Sequence, residues 1–131
     1  MKLLIDTNVF LEILLKQPNS AKARKLLSAT QKHEFFISDF SLHSIGVLLI
    51  RRNQHQALKD FVDDMVMQAG TVVLTLQPAE MKTVADTAKR FQLDFDDAYQ
   101  YTMAEKSGLT MVSFDGDFDR TPRGRRTPTQ I

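Results

Sequence analysis

Four short apolar segments recur along the chain, and polar residues follow each of them. They span residues 2–5, 35–37, 71–76 and 110–113. The first segment is a continuous apolar run rather than an alternating one, which is typical of a central parallel strand buried on both faces. The pattern therefore predicts four strands.

Helical periodicity fills the stretches between these strands. Apolar residues recur at intervals of three and four over residues 58–69 and again over 95–103. Three further stretches predict helices, at 21–29, 42–50 and 78–89. Strands that alternate with helices indicate an α/β fold in which helices cover both faces of a parallel sheet of four to five strands. The fifth strand would be an edge strand at 125–127, unless the tail is simply loose.

Length and composition place the chain among ordinary globular proteins. Its 131 residues predict a single domain, 1–131, that includes a basic tail at 120–131. No cysteine is present, which excludes a disulfide scaffold, thiolate metal sites and thiol nucleophiles. No apolar run approaches the ~20 residues of a membrane span, and the N-terminal residues do not resemble a signal peptide. These features predict a cytoplasmic protein.

Charge is nearly balanced overall but uneven along the chain. The formal net charge is +1, so no global field attracts nucleic acid or an acidic membrane. The last third, however, holds a group of acids followed by four arginines with no acid among them. These residues are Asp94, Asp96, Asp97, Asp115, Asp117 and Asp119, followed by Arg120, Arg123, Arg125 and Arg126.

The predicted topology brings acids from three segments to one edge of the sheet. Asp6 and Asp115 each come directly after a strand, where ligands bind in open parallel sheets. Asp94, Asp96 and Asp97 open the helix that leads into the strand at 110–113. A helix that feeds a parallel strand must begin at the opposite edge, which is the edge carrying Asp6 and Asp115. The pattern therefore predicts an acidic cluster at the carboxyl ends of the strands.

Clustered carboxylates repel one another unless a cation lies among them. Oxygen ligands without cysteine or clustered histidine favour Mg²⁺ or Mn²⁺ over Zn²⁺. Such an ion can activate water for attack on a phosphodiester. The same residues also have structural explanations. Asp94 and Asp97 fit the N-cap and third position of a helix, Asp6 opens a turn-forming sequence, and Asp117 and Asp119 fit a solvated loop.

Three segments together resemble the acidic motifs of the PIN domain, the ribonuclease fold of VapC-type toxins in type II toxin–antitoxin modules. They are LLIDTNVFL at 3–11, DFDDA at 94–98 and VSFDGDF at 112–118. Each motif alone is weak, but their order and spacing agree with the family over nearly the whole chain. The resemblance implies a three-layer α/β/α fold.

The resemblance also implies an activity and a set of site residues. PIN domains of this type are Mg²⁺- or Mn²⁺-dependent endoribonucleases that cut single-stranded RNA, commonly as homodimers neutralised by a small antitoxin. By this resemblance Asp6, Asp97 and Asp115 are the catalytic, metal-binding acids, with Asp117 as an accessory ligand. Supporting contacts would come from Thr7, Asn8 and Ser113. Lys16 and the tail arginines would hold phosphates near the site.

One motif departs from the family. PIN domains usually supply a glutamate from the helix after the second strand, and here Ser44 occupies that position, with His43 beside it. Glu12, Asp39 or His43 could replace the missing ligand, although a flanking or core role suits His43 as well. Without a replacement, metal affinity falls, and the chain would be a PIN-like module that binds RNA or a partner protein. A receiver-like phosphoacceptor is a third hypothesis, but the chain offers no convincing lysine after a late strand.

Overall fold

A four-stranded parallel sheet forms the middle layer of the protein, whose computed structural model describes residues 1–131. The strands lie in the order β3-β2-β1-β4, and every neighbouring pair is parallel. They are β1 (Lys2–Ile5), β2 (Glu34–Ser38), β3 (Val72–Leu74) and β4 (Thr110–Val112). The prediction of an α/β fold with a four-stranded parallel core is confirmed.

Six α-helices connect and cover the strands. The helices are α1 (Thr7–Leu14), α2 (Ser20–Leu27), α3 (Asp39–Arg51), α4 (His55–Phe61), α5 (Met81–Phe91) and α6 (Phe95–Ser107). A 3₁₀ turn at Pro78–Glu80 precedes α5, and a π-helical segment at Val62–Gln68 continues α4.

Two hydrophobic cores lie on opposite faces of the sheet. Successive side chains of a strand point to opposite faces. Leu3 and Ile5 of β1 accordingly pack with the apolar sides of α1 to α4, whereas Leu4 packs with those of α5 and α6. All three side chains are completely buried. The central strand therefore joins both halves of a three-layer α/β/α domain.

Some elements differ from their sequence predictions. Helix α1 was not predicted, because its apolar residues follow one another almost without a period from Val9 to Leu14. The helix predicted over 58–69 is present, but it changes to π-helical hydrogen bonding after Phe61. The third strand is shorter than its apolar run, since only Val72–Leu74 pairs with β2.

The basic tail is neither a full strand nor loose. Arg126 forms a single parallel bridge to Val112, in which its N–H donates to Met111 and its carbonyl accepts from Ser113. A short 3₁₀ turn at Pro128–Gln130 then packs against α2. None of the helices has the length and apolar character required to cross a bilayer.

Candidate active site

Three chain segments meet at the carboxyl edge of the sheet, as the sequence predicts. Asp6 follows β1, Asp115 lies three residues beyond β4, and Asp97 occupies the first turn of α6. Their side chains line one pocket of about 240 Å³. The complete lining is Asp6, Thr7, Asn8, Leu11, Phe40, Ser44, Asp96, Asp97 and Asp115.

Carboxylate oxygens of Asp97, Asp115 and Asp117 lie within 4.8 Å of one another. Asp97 is only 6% exposed. Burial raises its pKa to about 7, and neighbouring negative charges add to the shift, those of Asp96, Asp115, Asp6 and Asp117. No hydrogen bond offsets this cost. Asp97 therefore gains the most from a cation bound in the pocket.

Asp6 differs from Asp97 because hydrogen bonds surround its carboxylate. Its Oδ1 accepts from the backbone N–H of Thr7 and from Nε2 of Gln100, both at 2.7 Å. Its Oδ2 accepts from Oγ of Ser113 at 2.7 Å and from Nδ2 of Asn8 at 3.2 Å. Burial raises the pKa of Asp6. The hydrogen bonds from Ser113, Gln100 and Thr7 lower it in part, and the negative charge of nearby Asp115 raises it further. The side chain is thus fixed in orientation.

A buried chain of hydrogen bonds supports Asp6 from the far side of the pocket. The Thr7 hydroxyl donates to Oγ of Ser41 at 2.7 Å, and Ser41 donates to Oε1 of Gln100 at 3.2 Å. Gln100 then donates to Asp6. The Ser38 hydroxyl also donates to Ser41, at 3.0 Å. Ser41 and Gln100 are 0% and 1% exposed, so each depends entirely on these partners.

Ser113 and Asn8 join the two strand ends that carry Asp6 and Asp115. Ser113 Oγ accepts from Nδ2 of Asn8 at 3.1 Å and from the N–H of Asp115 at 2.9 Å, while it donates to Asp6. Asn8 Oδ1 accepts from the N–H of Phe114 at 3.2 Å. These contacts fix the loop after β4 against the start of α1.

The residues around the missing glutamate divide into two groups. Ser44 lines the acidic pocket, whereas His43 is exposed and lines the adjacent surface along α3. Glu12 Oε2 accepts from the N–H of Asn19 at 2.8 Å, outside the pocket. His43 and Glu12, which the sequence suggested as replacement ligands, therefore do not lie with Asp97, Asp115 and Asp117.

Asp39 is likewise occupied elsewhere. Its carboxylate accepts from the hydroxyls of Thr75 and Tyr99, each at 2.7 Å, and from the N–H of Phe40 at 2.8 Å. Burial alone would raise its pKa, but these hydrogen bonds and the nearby His43 hold it below the usual range. The Asp39 carboxylate thus links the end of β2 to the residue after β3 and to α6 through these hydrogen bonds.

Asp94, Asp119 and Lys16 lie outside the pocket lining, and so does Asp117, although a carboxylate oxygen of Asp117 is within 4.8 Å of those of Asp97 and Asp115. Asp94 occupies the N-cap position of α6, although its side chain makes no capping hydrogen bond. Asp119 Oδ2 pairs with Arg125 at 3.2 Å, and Asp117 pairs with Arg120 at 2.7 Å. Lys16, at the far end of α1 from Asp6, is exposed.

The donor set suits a divalent cation of the Mg²⁺ or Mn²⁺ type. Every candidate ligand atom is an oxygen, and the carboxylates of Asp97 and Asp115 face each other without a basic side chain between them. Hard cations prefer such ligands and offset their repulsion. Asp97, Asp115 and Asp117 are the residues whose present positions fit that ion.

Comparison with known proteins identifies the family. The PIN domain family model matches residues 3–124. The chain therefore belongs to the PIN domain family. No curated protein sequence matches it significantly.

Solved structures of toxin–antitoxin proteins share this fold. A toxin–antitoxin complex from Klebsiella pneumoniae has 20% identity and a TM-score of 0.71, with 98% of each chain covered. VapBC2 from Rickettsia felis, bound to a promoter DNA fragment, has 14% identity and a TM-score of 0.76, with 96% of this chain and 97% of that chain covered. The sarcin–ricin loop cleaving toxin VapC20 from Mycobacterium tuberculosis has 20% identity and a TM-score of 0.73, with 89% and 92% covered. At these identities the likeness establishes the PIN fold.

Substitution of Asp97 by Asn should stabilise the metal-free protein above pH 7. The native pKa of about 7 exceeds the unfolded value of 3.8. The folded state therefore binds the proton more tightly, and stability falls as pH rises between these values. At ~1.4 kcal/mol per pKa unit, the effect is at most about 4 kcal/mol. Urea unfolding in EDTA at pH 5 and pH 8 measures it, with exposed Asp86→Asn as the control. An unchanged pH dependence in Asp97→Asn would contradict the electrostatic assignment.

Substitution of Gln100 should reveal its role beside Asp6. Gln100→Leu removes one donor to Asp6 Oδ1 and leaves the buried Ser41 hydroxyl without its acceptor, which costs about 1–3 kcal/mol at any pH. Gln100→Glu places a second carboxylate there, so its cost should grow between pH 5 and pH 8. Denaturant unfolding measures both variants against exposed Gln56→Leu, which should stay within about 0.5 kcal/mol of wild type. Equal costs at both pH values for Gln100→Glu would contradict this arrangement.

Proposed function

We propose that the protein is a Mg²⁺- or Mn²⁺-dependent endoribonuclease that cleaves single-stranded RNA, and that it is the toxin of a type II toxin–antitoxin module. The observation that supports this most directly is the group of Asp97, Asp115 and Asp117, whose oxygens lie within 4.8 Å of one another. The PIN family match and the toxins that share the fold support the same conclusion. Asp6, Asp97 and Asp115 are the proposed catalytic residues.

The chain's own residues would hold and orient the reacting groups. When bound, the divalent ion supplies Lewis-acid stabilisation of the phosphoryl oxygens and a water of lowered pKa. Asp97, Asp115 and Asp117 would hold that ion, and Asp6 lines the same pocket in an orientation fixed by its four donors. No side chain needs to act as a nucleophile. In this hydrolysis the oxygen of water would bond to phosphorus as the P–O bond to the leaving oxygen breaks on the opposite side. The proton that the water loses would be balanced by protonation of the leaving oxygen from solvent.

We further propose a homodimer and a small antitoxin partner in the cytoplasm. Val47 and Ile50 on α3 are about half exposed, and they line an apolar groove together with Leu42, Leu58 and Val62. Exposed apolar surface of this kind is typical of protein interfaces. A toxin–antitoxin complex from Klebsiella pneumoniae is among the solved structures that share this fold. Light scattering at high micromolar concentration that showed only a monomer would contradict the dimer.

The decisive experiment is cleavage of a labelled single-stranded RNA with Mn²⁺. We expect cleavage by wild type and by the control Asp86→Asn, and none with EDTA or in Asp97→Asn and Asp115→Asn. Each loss should exceed about 100-fold, because these residues hold the ion that stabilises the transition state. Unchanged cleavage in Asp97→Asn would show that the active site lies elsewhere.

A second candidate function follows from Ser44. This hydroxyl lines the pocket where the family usually supplies a glutamate, so the site has one negative charge fewer. On this alternative the protein is a PIN module that binds RNA or a partner protein and has little nuclease activity. If millimolar Mn²⁺ produces no heat in calorimetry and no rise in melting temperature, the result would favour this candidate over the enzyme.

The variant Ser44→Glu tests the importance of that position. An added carboxylate in the pocket should increase Mn²⁺ affinity by roughly tenfold or more, because ligand charge tunes the affinity of such sites. It should also lower the stability of the metal-free protein by adding to the repulsion around Asp97. Calorimetric titration and thermal unfolding with and without EDTA measure the two effects. Ser28→Glu, on a different surface, provides the control, and equal Mn²⁺ affinity in both variants would contradict the prediction.

A further inference from the structure

Phe95 is an aromatic side chain exposed beside the acidic pocket. Seven large apolar residues of the chain are exposed, and Phe95, at 55%, is the only aromatic one among them. It lies between Asp94 and Asp96, at the first residue of α6 and two residues before Asp97. The ring supplies no oxygen ligand to a metal ion, and at 55% exposure it adds little to the core.

The ring of Phe95 is held in place although most of it is exposed. Its centroid lies 6.0 Å from that of Phe40, in an edge-to-face arrangement, and 5.9 Å from that of Tyr99. Phe40 is itself part of the pocket lining, and the Tyr99 hydroxyl is fixed by its hydrogen bond to Asp39. The exposed ring is therefore supported on a rigid base at the edge of the pocket.

Apart from a bound ion, the chain itself supplies little Coulombic attraction for nucleic acid at this edge. The net charge is only +1, and the pocket is acidic. Two of the four tail arginines, Arg120 and Arg125, already pair with Asp117 and Asp119. An RNA strand bound here needs contacts of another kind. Stacking on an aromatic ring is such a contact, because every nucleobase has a π-face.

We propose that Phe95, supported by Phe40 and Tyr99, is a stacking platform for a nucleobase of a single-stranded RNA whose backbone crosses the acidic pocket. The proposal rests on the proposed ribonuclease function and adds a base-binding subsite to it. A base can stack on Phe95 only when it is not stacked in a duplex, so the subsite selects single-stranded RNA. It tolerates any base, since stacking reads no hydrogen-bonding edge.

The chain contains no tryptophan, so Phe95→Trp introduces a single fluorescent reporter at the subsite. The measurement uses this substitution in an Asp97→Asn background, which prevents cleavage during titration. Oligouridylate should quench the Trp fluorescence, whereas an abasic ribose-phosphate strand of equal length should not. Trp introduced instead at exposed Met67 is the control. Equal quenching by oligouridylate and by the abasic strand, or no quenching by either, would overturn the proposal.

Affinity provides an independent test in the same Asp97→Asn background. Phe95→Ala should weaken oligouridylate binding by roughly 5- to 150-fold, the usual contribution of one stacked base, whereas Phe95→Tyr should retain it. The salt dependence should be unchanged, because no phosphate contact is lost. Met67→Ala is the matched control for loss of an exposed apolar side chain. Unchanged affinity in Phe95→Ala would overturn the proposed subsite. It is the result expected if a partner protein, rather than RNA, contacts this ring.

Binding and cleavage separate the failure of this subsite from the failure of the proposed function. Base-dependent binding by a wild-type protein that never cleaves RNA would refute the nuclease and retain the subsite. Metal-dependent cleavage with the same KM in wild type and Phe95→Ala would refute the subsite and retain the nuclease.

Discussion

Repulsion among buried carboxylates is the constraint on which the rest of this structure depends. A parallel sheet directs the ends of its strands to one edge, and here that edge receives Asp6, Asp97 and Asp115 from segments far apart in sequence. Burying like charges together raises the free energy of the folded state. The remainder of the site can be understood as two different responses to that cost. Asp6 is compensated by hydrogen bonds from the protein, and Asp97 is left uncompensated.

That division has a functional meaning. A carboxylate with four donors is rigid and is already satisfied, so it shapes the pocket without needing a ligand. A buried carboxylate without donors stores unfavourable energy that a cation can release. The hydrogen-bonded chain through Ser41 and Gln100 therefore does more than stabilise the fold, because it orients the Asp6 carboxylate through protein contacts alone.

The sequence predicts the acidic edge well but not what surrounds it. Strand ends and the start of a helix follow from local patterns, so the meeting of Asp6, Asp97 and Asp115 could be derived from topology alone. Gln100 and Ser41 could not, because their partners come from other elements and only packing decides the rotation of α3 and α6. A glutamine within the largely apolar stretch from Ala98 to Ala104, all of which is buried, was the one available signal. Glu12 and His43 are close to the site in sequence, yet their helices direct them elsewhere.

The pairing of the central strand with a late strand also determines when the acidic edge can assemble during synthesis. Leu3 of β1 pairs with Phe35 on one side and with Thr110 on the other. The second pairing joins residues that are separated by most of the chain, so it belongs to the slow, non-local class of folding contacts. A ribosome must release the segment carrying β4 and Asp115 before the acidic edge can assemble. Partial translation products that end before this segment lack Asp115 and cannot form the complete acidic edge.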